Sequence, residues 1–119
     1  MRTYAYTELI AWQRSMDLVV SVYGASRAMP GDERFGLIAQ MRRSAVSIPA
    51  NIAEGQCRRT RGEFLNCLSV AYGSLGELET HVRLAKRLQF MNTDAVRDIL
   101  RQTAEVGRLV NGLANSLKP

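Results

Sequence analysis

Apolar residues recur at alternating spacings of three and four in four successive stretches of this 119-residue sequence. That spacing keeps them on one side of an α-helix, so each stretch predicts a helix with one buried stripe. We find no useful run that alternates apolar and polar residues, and therefore expect an all-α fold. The four stripes are Leu9, Trp12, Met16, Val19 and Tyr23; Ile38, Met41, Ala45, Ile48 and Ile52; Phe64, Leu68, Ala71, Leu75, Leu78, Val82 and Ala85; and Val96, Ile99, Thr103, Val106, Val110, Leu113 and Leu117.

Turn and capping residues separate the four predicted helices. Pro30-Gly31-Asp32 is expected to close the first helix and cap the second, Thr60 to Glu63 forms a capping box before the third, and Asn92-Thr93-Asp94 caps the fourth. Helices of about 20 residues are roughly 30 Å long, and short connections make consecutive helices antiparallel neighbours. We expect residues 1–119 to form one domain, an antiparallel up-down-up-down four-helix bundle.

Three residues interrupt good helix formers inside the second and third predicted helices. Pro49 removes a backbone donor and clashes with the carbonyl of Ala45, so we expect a kink near Pro49 in a second helix that stays continuous. Gly73 and Gly76 each cost about 1 kcal/mol relative to alanine in a helix interior. Close helix packing is the expected compensation at these two glycines.

The first two helices carry more apolar surface than one buried stripe requires. A second stripe indicates association with further copies or with a partner. The alternative is a wide arc that faces the core of the single chain. The additional residues are Ile10, Leu18, Val20 and Val22 in the first helix, and Leu37, Ala39, Val46, Pro49, Ala50 and Ala53 in the second.

The net charge is +5, and all but Lys86 and Lys118 of the 16 basic residues are arginine. Arginine favours planar, bidentate contacts with phosphate or carboxylate. The longest uncharged run, Phe64 to Gly76, is too short to span a membrane. Only Arg2 charges the start of the chain, and polar residues follow before an apolar signal core could form, so we expect a cytoplasmic protein.

Most of the excess charge lies between Arg42 and Arg61, where five arginines face Glu54 alone. Arg58, Arg59 and Arg61 fall at the turn between the second and third helices, and Arg43 is predicted on a polar stripe. These four arginines are the candidate nucleic-acid contacts. The alternatives are a solvated turn at residues 58–61 and, for Arg43, ion pairing with Glu54, Glu77 or Glu79.

Arg42 points about 100° away from Arg43 on a helix, so the two side chains serve different surfaces. We expect Arg42 at a subunit interface, paired with a carboxylate of another copy, together with Val46, Pro49 and Ala53 on the same side of the helix. The alternative gives Arg42 an ordinary ion pair with Glu54, Glu77 or Glu79.

No constellation in the sequence predicts catalysis, a metal site or a cofactor. Cys57, Cys67 and His81 lack the spacing of a zinc site, and the two cysteines are expected to be reduced, small apolar residues. Asn51 and Glu54 are expected to make structural hydrogen bonds near the kink, and His81 to contact Glu77 one turn earlier. The alternating charges of the fourth helix predict a solvated face; they are Asp94, Arg97, Asp98, Arg101, Glu105 and Arg108.

Several of these residues form a recognisable family pattern. It consists of Trp12-Gln13-x-x-Met16, Phe35-Gly36-Leu37 with Gln40, Arg42-Arg43-Ser44-Ala45-Val46-Ser47-Ile48-Pro49-Ala50-Asn51-Ile52-Ala53-Glu54-Gly55, and Gly73-Ser74-Leu75-x-Glu77-Leu78-Glu79. The chain resembles the bacterial four-helix-bundle proteins encoded in intervening sequences of 23S ribosomal RNA genes. The resemblance implies a ring-like homopentamer, related in fold to the accessory variability determinant of diversity-generating retroelements, a basic pentamer that binds nucleic acid and its cognate reverse transcriptase.

Two functional hypotheses follow from the sequence. The first is a non-enzymatic homo-oligomer, pentameric by the resemblance, that binds RNA or DNA through the arginines near the turn. The second is an adaptor or assembly module whose surface recruits a protein partner, such as a nucleic-acid-processing enzyme, while its charge steers the encounter. Loss of polyanion binding on charge reversal at the turn would separate the first from the second.

Overall fold

The computed structural model describes residues 5–119, and in this range the chain forms four α-helices. They are α1 (Ile10–Ser26), α2 (Leu37–Gln56), α3 (Arg61–Arg87) and α4 (Thr93–Leu117), with short 3-10 helices at Tyr6–Glu8 and Gly31–Glu33. The described chain contains no strand, which confirms the all-α prediction. Arg2, whose charge entered the prediction that the protein lacks a signal peptide, lies outside the described residues.

Each helix packs against two others, as the sides of a square. α1 contacts α2 and α4, and α3 contacts the same two helices, while the diagonal pairs of the described chain make no comparable backbone approach. This packing is that of the expected four-helix bundle. α2 runs without a break through Pro49, so the continuous helix is confirmed. The alternating direction of the helices and the bend near Pro49 stay predictions.

The predicted stripes of α2, α3 and α4 form most of the core. All five stripe residues of α2 and all seven of α3 are buried, as are the α4 stripe residues from Val96 to Val110. The single polar member of the α4 stripe, Thr103, is buried and its hydroxyl donates to the carbonyl of Leu100 at 2.8 Å. That bond lets a hydroxyl occupy an apolar position without an unpaired donor.

The predicted stripe of α1 is right only in part: Leu9 is buried, and Trp12 and Val19 pack against the core from its edge. Met16 is 41% exposed, and the other helical members, Trp12, Val19 and Tyr23, are only half-buried. The face that enters the core instead contains Leu18 and Val22 with small residues; its members are Ala11, Ser15, Leu18, Val22 and Ser26. Two of these five positions are serine, so a pattern of apolar letters does not find the face. Of the four additional apolar residues of α1, Leu18 and Val22 therefore belong to the core, as the wide-arc alternative requires, whereas Ile10 and Val20 are exposed.

Capping residues fix two of the predicted helix starts. The side chain of Thr60 accepts a hydrogen bond from the Glu63 amide, and that of Asn92 accepts one from the Ala95 amide. Both positions are confirmed as N-caps. The cap predicted at Asp32 is wrong, because Asp32 lies in a 3-10 helix and α2 begins five residues later at Leu37.

The end of α3 carries a cap without a glycine. Gln89 has a φ of 62°, in the left-handed region, directly after the C-cap Leu88. The Phe90 amide donates to the Ala85 carbonyl at 2.8 Å, and the Gln89 amide donates to Lys86 at 3.0 Å. These two bonds form a Schellman motif, which usually has glycine at the left-handed position. They close α3 and turn the chain toward α4.

Glycine allows a close helix approach at Gly55, a position for which the sequence pattern predicted no packing role. A Cβ there would lie 2.7 Å from Cδ1 of Phe64 and 2.9 Å from Cβ of Cys67. Gly55 is buried, so α2 and α3 are in direct contact just before the turn that joins them. The packing role predicted for Gly73 and Gly76 is wrong within the described chain, since both are exposed and a Cβ would meet nothing within 4 Å.

Candidate nucleic-acid interface

The turn between α2 and α3 presents Arg58, Arg59 and Arg61 on the surface. All three are exposed, and Arg61 is the first residue of α3. The contact at Gly55 holds the two helices together at this end, and the Thr60 cap fixes where α3 starts. The structure therefore brings three of the four candidate arginines together in one short segment.

Arg58 differs from the other two because it already has a carboxylate partner. Its Nη2 donates to Oε2 of Glu54, one helical turn earlier, in an exposed ion pair. The hydrogen bond to Glu54, followed by the attraction of the same carboxylate, raises the pKa of Arg58 above its ordinary value. An incoming phosphate would have to compete with Glu54 for this guanidinium.

Arg59 and Arg61 have no ion pair with any other residue in the range 5–119. Glu63 is the nearest acid in sequence, and its backbone amide is engaged by Thr60. Both arginines lie beside the first turn of α3, which carries the positive end of the helix dipole. The guanidinium groups and the helix end thus create a positive potential at the same place.

Arg43 lies elsewhere on the molecule. It is exposed on α2, thirteen residues before Gln56, the last residue of that helix. At a rise of 1.5 Å per residue, this places Arg43 about 20 Å from the end of α2. One short phosphate segment cannot contact Arg43 and the turn arginines together, so the four predicted residues are two separate positions.

Arg42 is held by α1 in the single chain. Its Nε donates to Oγ of Ser26 at 2.9 Å, and its guanidinium carbon lies 4.5 Å from the centre of the Tyr23 ring. Such a stacked, half-buried arginine ties α1 to α2 without a carboxylate. The partner carboxylate expected for Arg42 from another copy stays a prediction.

The other three residues predicted at a subunit interface differ in their exposure to solvent. Val46 is 43% exposed and Ala53 is half-buried, whereas Pro49 is buried inside the chain. Met16, which the apolar spacing placed in the buried stripe of α1, is 41% exposed, so α1 also presents apolar surface. Met16 lies about two turns before Tyr23 on the same face of α1, and Tyr23 is the residue on which Arg42 stacks.

Polar residues between α2 and α3 are structural. Nδ2 of Asn51 donates to the Ser47 carbonyl at 2.8 Å and to its Oγ at 3.0 Å, and that Oγ is hydrogen-bonded to Ser74 at 2.8 Å. These bonds confirm the structural role predicted for Asn51. The contact predicted between His81 and Glu77 is wrong. His81 is buried, and its Nδ1 lies 3.2 Å from Oγ of Ser44 on α2, because the ring turns inward from the exposed face that carries Glu77.

The cysteines and the charged residues of α4 are the remaining groups that the sequence analysis considered. Cys57 and Cys67 are free thiols, and within residues 5–119 no three ligand-type side chains gather in a way that could hold a metal ion. The predicted solvated face of α4 is confirmed by exposed ion pairs of Asp94 with Arg97 and of Asp98 with Arg101. Among the described residues, none of the helices combines the length and hydropathy that crossing a membrane requires.

Comparison with known proteins places this bundle in a family. The chain is similar to the crystal structure of a Bacteroides thetaiotaomicron protein of unknown function from the S23 ribosomal protein family. The two have 23% sequence identity and a TM-score of 0.82. The match covers 88% of this chain and 98% of that one, and it supports the fold. No curated protein sequence matches. Residues 7–112 match the family model described as 23S rRNA-intervening sequence protein, and the chain therefore belongs to that family.

Proposed function

We propose that this chain is a non-enzymatic, basic protein that binds RNA or DNA through the α2–α3 turn and acts as a homo-oligomer, with the five-copy ring that the family resemblance implies. The observation that supports the binding role is the pair Arg59 and Arg61. Both are exposed, neither has an ion pair within residues 5–119, and both lie beside the start of a 27-residue helix.

The chemistry of these groups suits phosphate oxygens. Guanidinium groups donate in a planar fork that matches phosphate, and helix N-termini add backbone donors with the favourable end of the dipole. Each neutralised phosphate contributes about −0.9 to the slope of log affinity against log salt on duplex DNA. A ring of five copies would repeat the turn around one rim and combine weak individual contacts into tight, salt-dependent binding.

Charge reversal at the turn tests this proposal. We expect Arg59→Glu with Arg61→Glu to weaken binding to a structured RNA and to a DNA duplex at least about tenfold at physiological salt, because two charge-assisted contacts become repulsive. The measurement is fluorescence anisotropy over a salt series, with thermal unfolding followed by circular dichroism to verify that the variant folds.

A matched control uses the longer connection, between α1 and α2. Arg27→Glu with Arg34→Glu makes the same change in net charge, four units, at two exposed arginines that also have no carboxylate partner in the described range. The control is expected to retain most of the affinity. Equal losses in both double variants would show that net charge alone drives binding, and unchanged binding of Arg59→Glu with Arg61→Glu would refute the turn as the site.

The second candidate function is an adaptor or assembly module. Exposed apolar side chains near the contact between α1 and α2 support it: Val20 is 71% exposed, Met16 41% and Val46 43%. Neighbouring apolar groups of this kind mark protein interfaces more often than nucleic-acid interfaces. Binding to RNA and DNA that disappears equally for both at physiological salt would favour this function over the first.

A further inference from the structure

A cleft between α3 and α4 combines an aromatic ring with polar groups, apart from the turn arginines. It encloses about 230 Å³. Tyr72 is its one aromatic lining residue and is 50% exposed. A Cβ at Gly107 would lie 3.7 Å from Cε1 of Tyr72, so the ring edge rests against the α4 backbone while part of the ring stays open to solvent. On α3 it is lined by Tyr72, Gly76 and Glu79, and on α4 by Gly107, Arg108 and Asn111.

The groups in this cleft match the chemistry of a nucleobase. A half-exposed tyrosine ring can stack on any base, and the side-chain amide of Asn111 can donate to and accept from a base edge. Arg108 is exposed and has no ion pair in the described chain, so it can meet a phosphate. The one acid, Glu79, is already paired with Nε of Arg83 at 3.2 Å.

The volume of the cleft suits a single ring system. Pockets that enclose drug-sized ligands usually measure about 300–1,000 Å³, so 230 Å³ is small for a whole nucleotide cofactor. Gly76, Ala104 and Gly107 have little or no side chain, which leaves room for a flat group to approach the helix backbones. A base that is splayed out of a single strand has the required shape.

The cleft is placed within reach of the turn. Arg61 and Tyr72 are eleven residues apart on α3, which is close to three helical turns, so both lie on the same face. Their separation along the helix is about 16 Å, a distance that about five stacked nucleotides cover. A strand whose phosphates contact Arg61 can therefore run along α3 and deliver a base to Tyr72.

We propose that the cleft between α3 and α4 takes one unpaired base of single-stranded RNA or DNA, with Tyr72 as the stacking platform. This inference rests on the proposed function, because the turn arginines hold the phosphates of the same strand. It extends that function from general phosphate binding to a preference for unpaired nucleotides. Duplex nucleic acid, whose bases are already stacked and paired, would contact the turn alone.

Anisotropy titrations with three probes test the inference: a single-stranded RNA and a single-stranded DNA of about ten nucleotides, and a DNA duplex of the same length. Tyr72→Ala is expected to weaken single-strand binding about fivefold or more and to leave duplex binding unchanged, because stacking on the ring is lost. Tyr72→Phe keeps the ring and should stay within about twofold of the wild type. A difference between the RNA and DNA probes would show which sugar the strand carries.

Phe35 and Gly107 provide further variants. Phe35 is 86% exposed and has the Arg34 guanidinium over its ring at 4.8 Å, but it does not line the cleft, so Phe35→Ala should leave single-strand binding unchanged. Gly107→Ala adds a methyl group at ordinary contact distance from Tyr72 and favours the helix. We expect it to weaken single-strand binding while the melting temperature holds or rises.

The outcomes distinguish this inference from the proposed function. A wild-type protein that binds neither single strands nor duplex would overturn both. Single-strand binding that depends on Arg59 and Arg61 but is unchanged in Tyr72→Ala would overturn the base cleft and leave the proposed function standing. An equal loss on single strand and duplex in Tyr72→Ala, with Gly107→Ala unaffected, would show that Tyr72 acts on the fold and would also overturn the cleft.

Discussion

Three serines occupy fully buried positions in the core of this bundle. Ser15, Ser26 and Ser44 are at most 2% exposed, yet each donates to a backbone carbonyl three residues earlier, at 2.8–3.1 Å. Such bonds satisfy the hydroxyl without a partner from another helix. Ser26 Oγ then remains free to accept from Arg42, and Ser44 Oγ to contact His81. A small polar residue can therefore serve as a core residue and a cross-helix contact at once.

On the surface of α4, Asp98 is the residue whose protonation should affect stability. Its carboxylate accepts from Arg101 at 2.8 Å and from Gln102 at 2.9 Å, and the hydrogen bond from Arg101 is the main reason that the pKa of Asp98 is lowered. A lowered pKa in the folded state stabilises the fold above the ordinary pKa of aspartate, about 3.9, and the contribution is lost as the pH falls through the folded value.

We expect Asp98→Asn to lower the free energy of unfolding at neutral pH by a few tenths of a kcal/mol, since the side chain is half exposed and solvent screens the pair. Urea unfolding of both proteins from pH 7 to pH 3 measures the effect. The difference between them should shrink as the pH falls below about 4. Asp17→Asn, which removes an exposed ion pair at 3.6 Å, gives the baseline for losing one surface charge. A difference that is independent of pH would contradict the assignment to Asp98.

At the scale of the helices, the sequence predicted the buried face correctly wherever a helix has a single apolar stripe. α2, α3 and α4 each have one dominant stripe, and those stripes are the core. α1 has two, and its close-packed face contains serines, so the spacing rule selected the stripe that lies mostly at the edge of the core. Within the candidate site, Arg58 and Glu54 are four residues apart, and that spacing is enough to predict their ion pair. The stacking of Arg42 on Tyr23 depends on how α1 docks, which no local pattern records.

Glycine substitutions should separate close helix contact from open surface. Gly55→Ala is expected to destabilise the protein by about 1–3 kcal/mol, because its Cβ would overlap Phe64, which is fully buried, and Cys67. The gain in helix propensity, about 0.5–1 kcal/mol, is too small to offset this. Chemical denaturation followed by circular dichroism gives the change in the free energy of unfolding.

Gly73→Ala is the matched control for that experiment. Gly73 is also inside a helix, but it is exposed and a Cβ would meet no described atom within 4 Å. We expect the same substitution there to stabilise the protein by up to about 1 kcal/mol through helix propensity alone. A stabilised Gly55→Ala would mean that α2 and α3 are not in close contact at the turn. A strongly destabilised Gly73→Ala would indicate that this face of α3 packs against another copy.

Residues 5–119 form a rod of 46 × 24 × 19 Å, and the four helices in this range leave apolar side chains exposed to water. Val20, Met16 and Val46 are exposed beside the seam that Arg42 ties to Tyr23, and Ala50 on α2 is exposed as well. A cyclic assembly larger than a dimer uses two different surfaces of each copy, so losing one surface removes every contact in the ring. Association would also place several α2–α3 turns on one particle, which links the two halves of the proposed function.

Val20→Glu with Val46→Glu tests that assembly directly. Both side chains are exposed in the single chain, so the free energy of unfolding should change by no more than about 0.5 kcal/mol. In an interface the two carboxylates would be buried without partners, which strongly disfavours association. We expect multi-angle light scattering at micromolar concentration to give an oligomer for the wild type and a monomer for the variant. Asn66→Glu with Asn115→Glu adds the same two charges at exposed polar positions and should leave the oligomer intact. A monomeric wild type would refute the oligomer, and an equal effect of the control would show that repulsion, rather than loss of apolar contact, separates the copies.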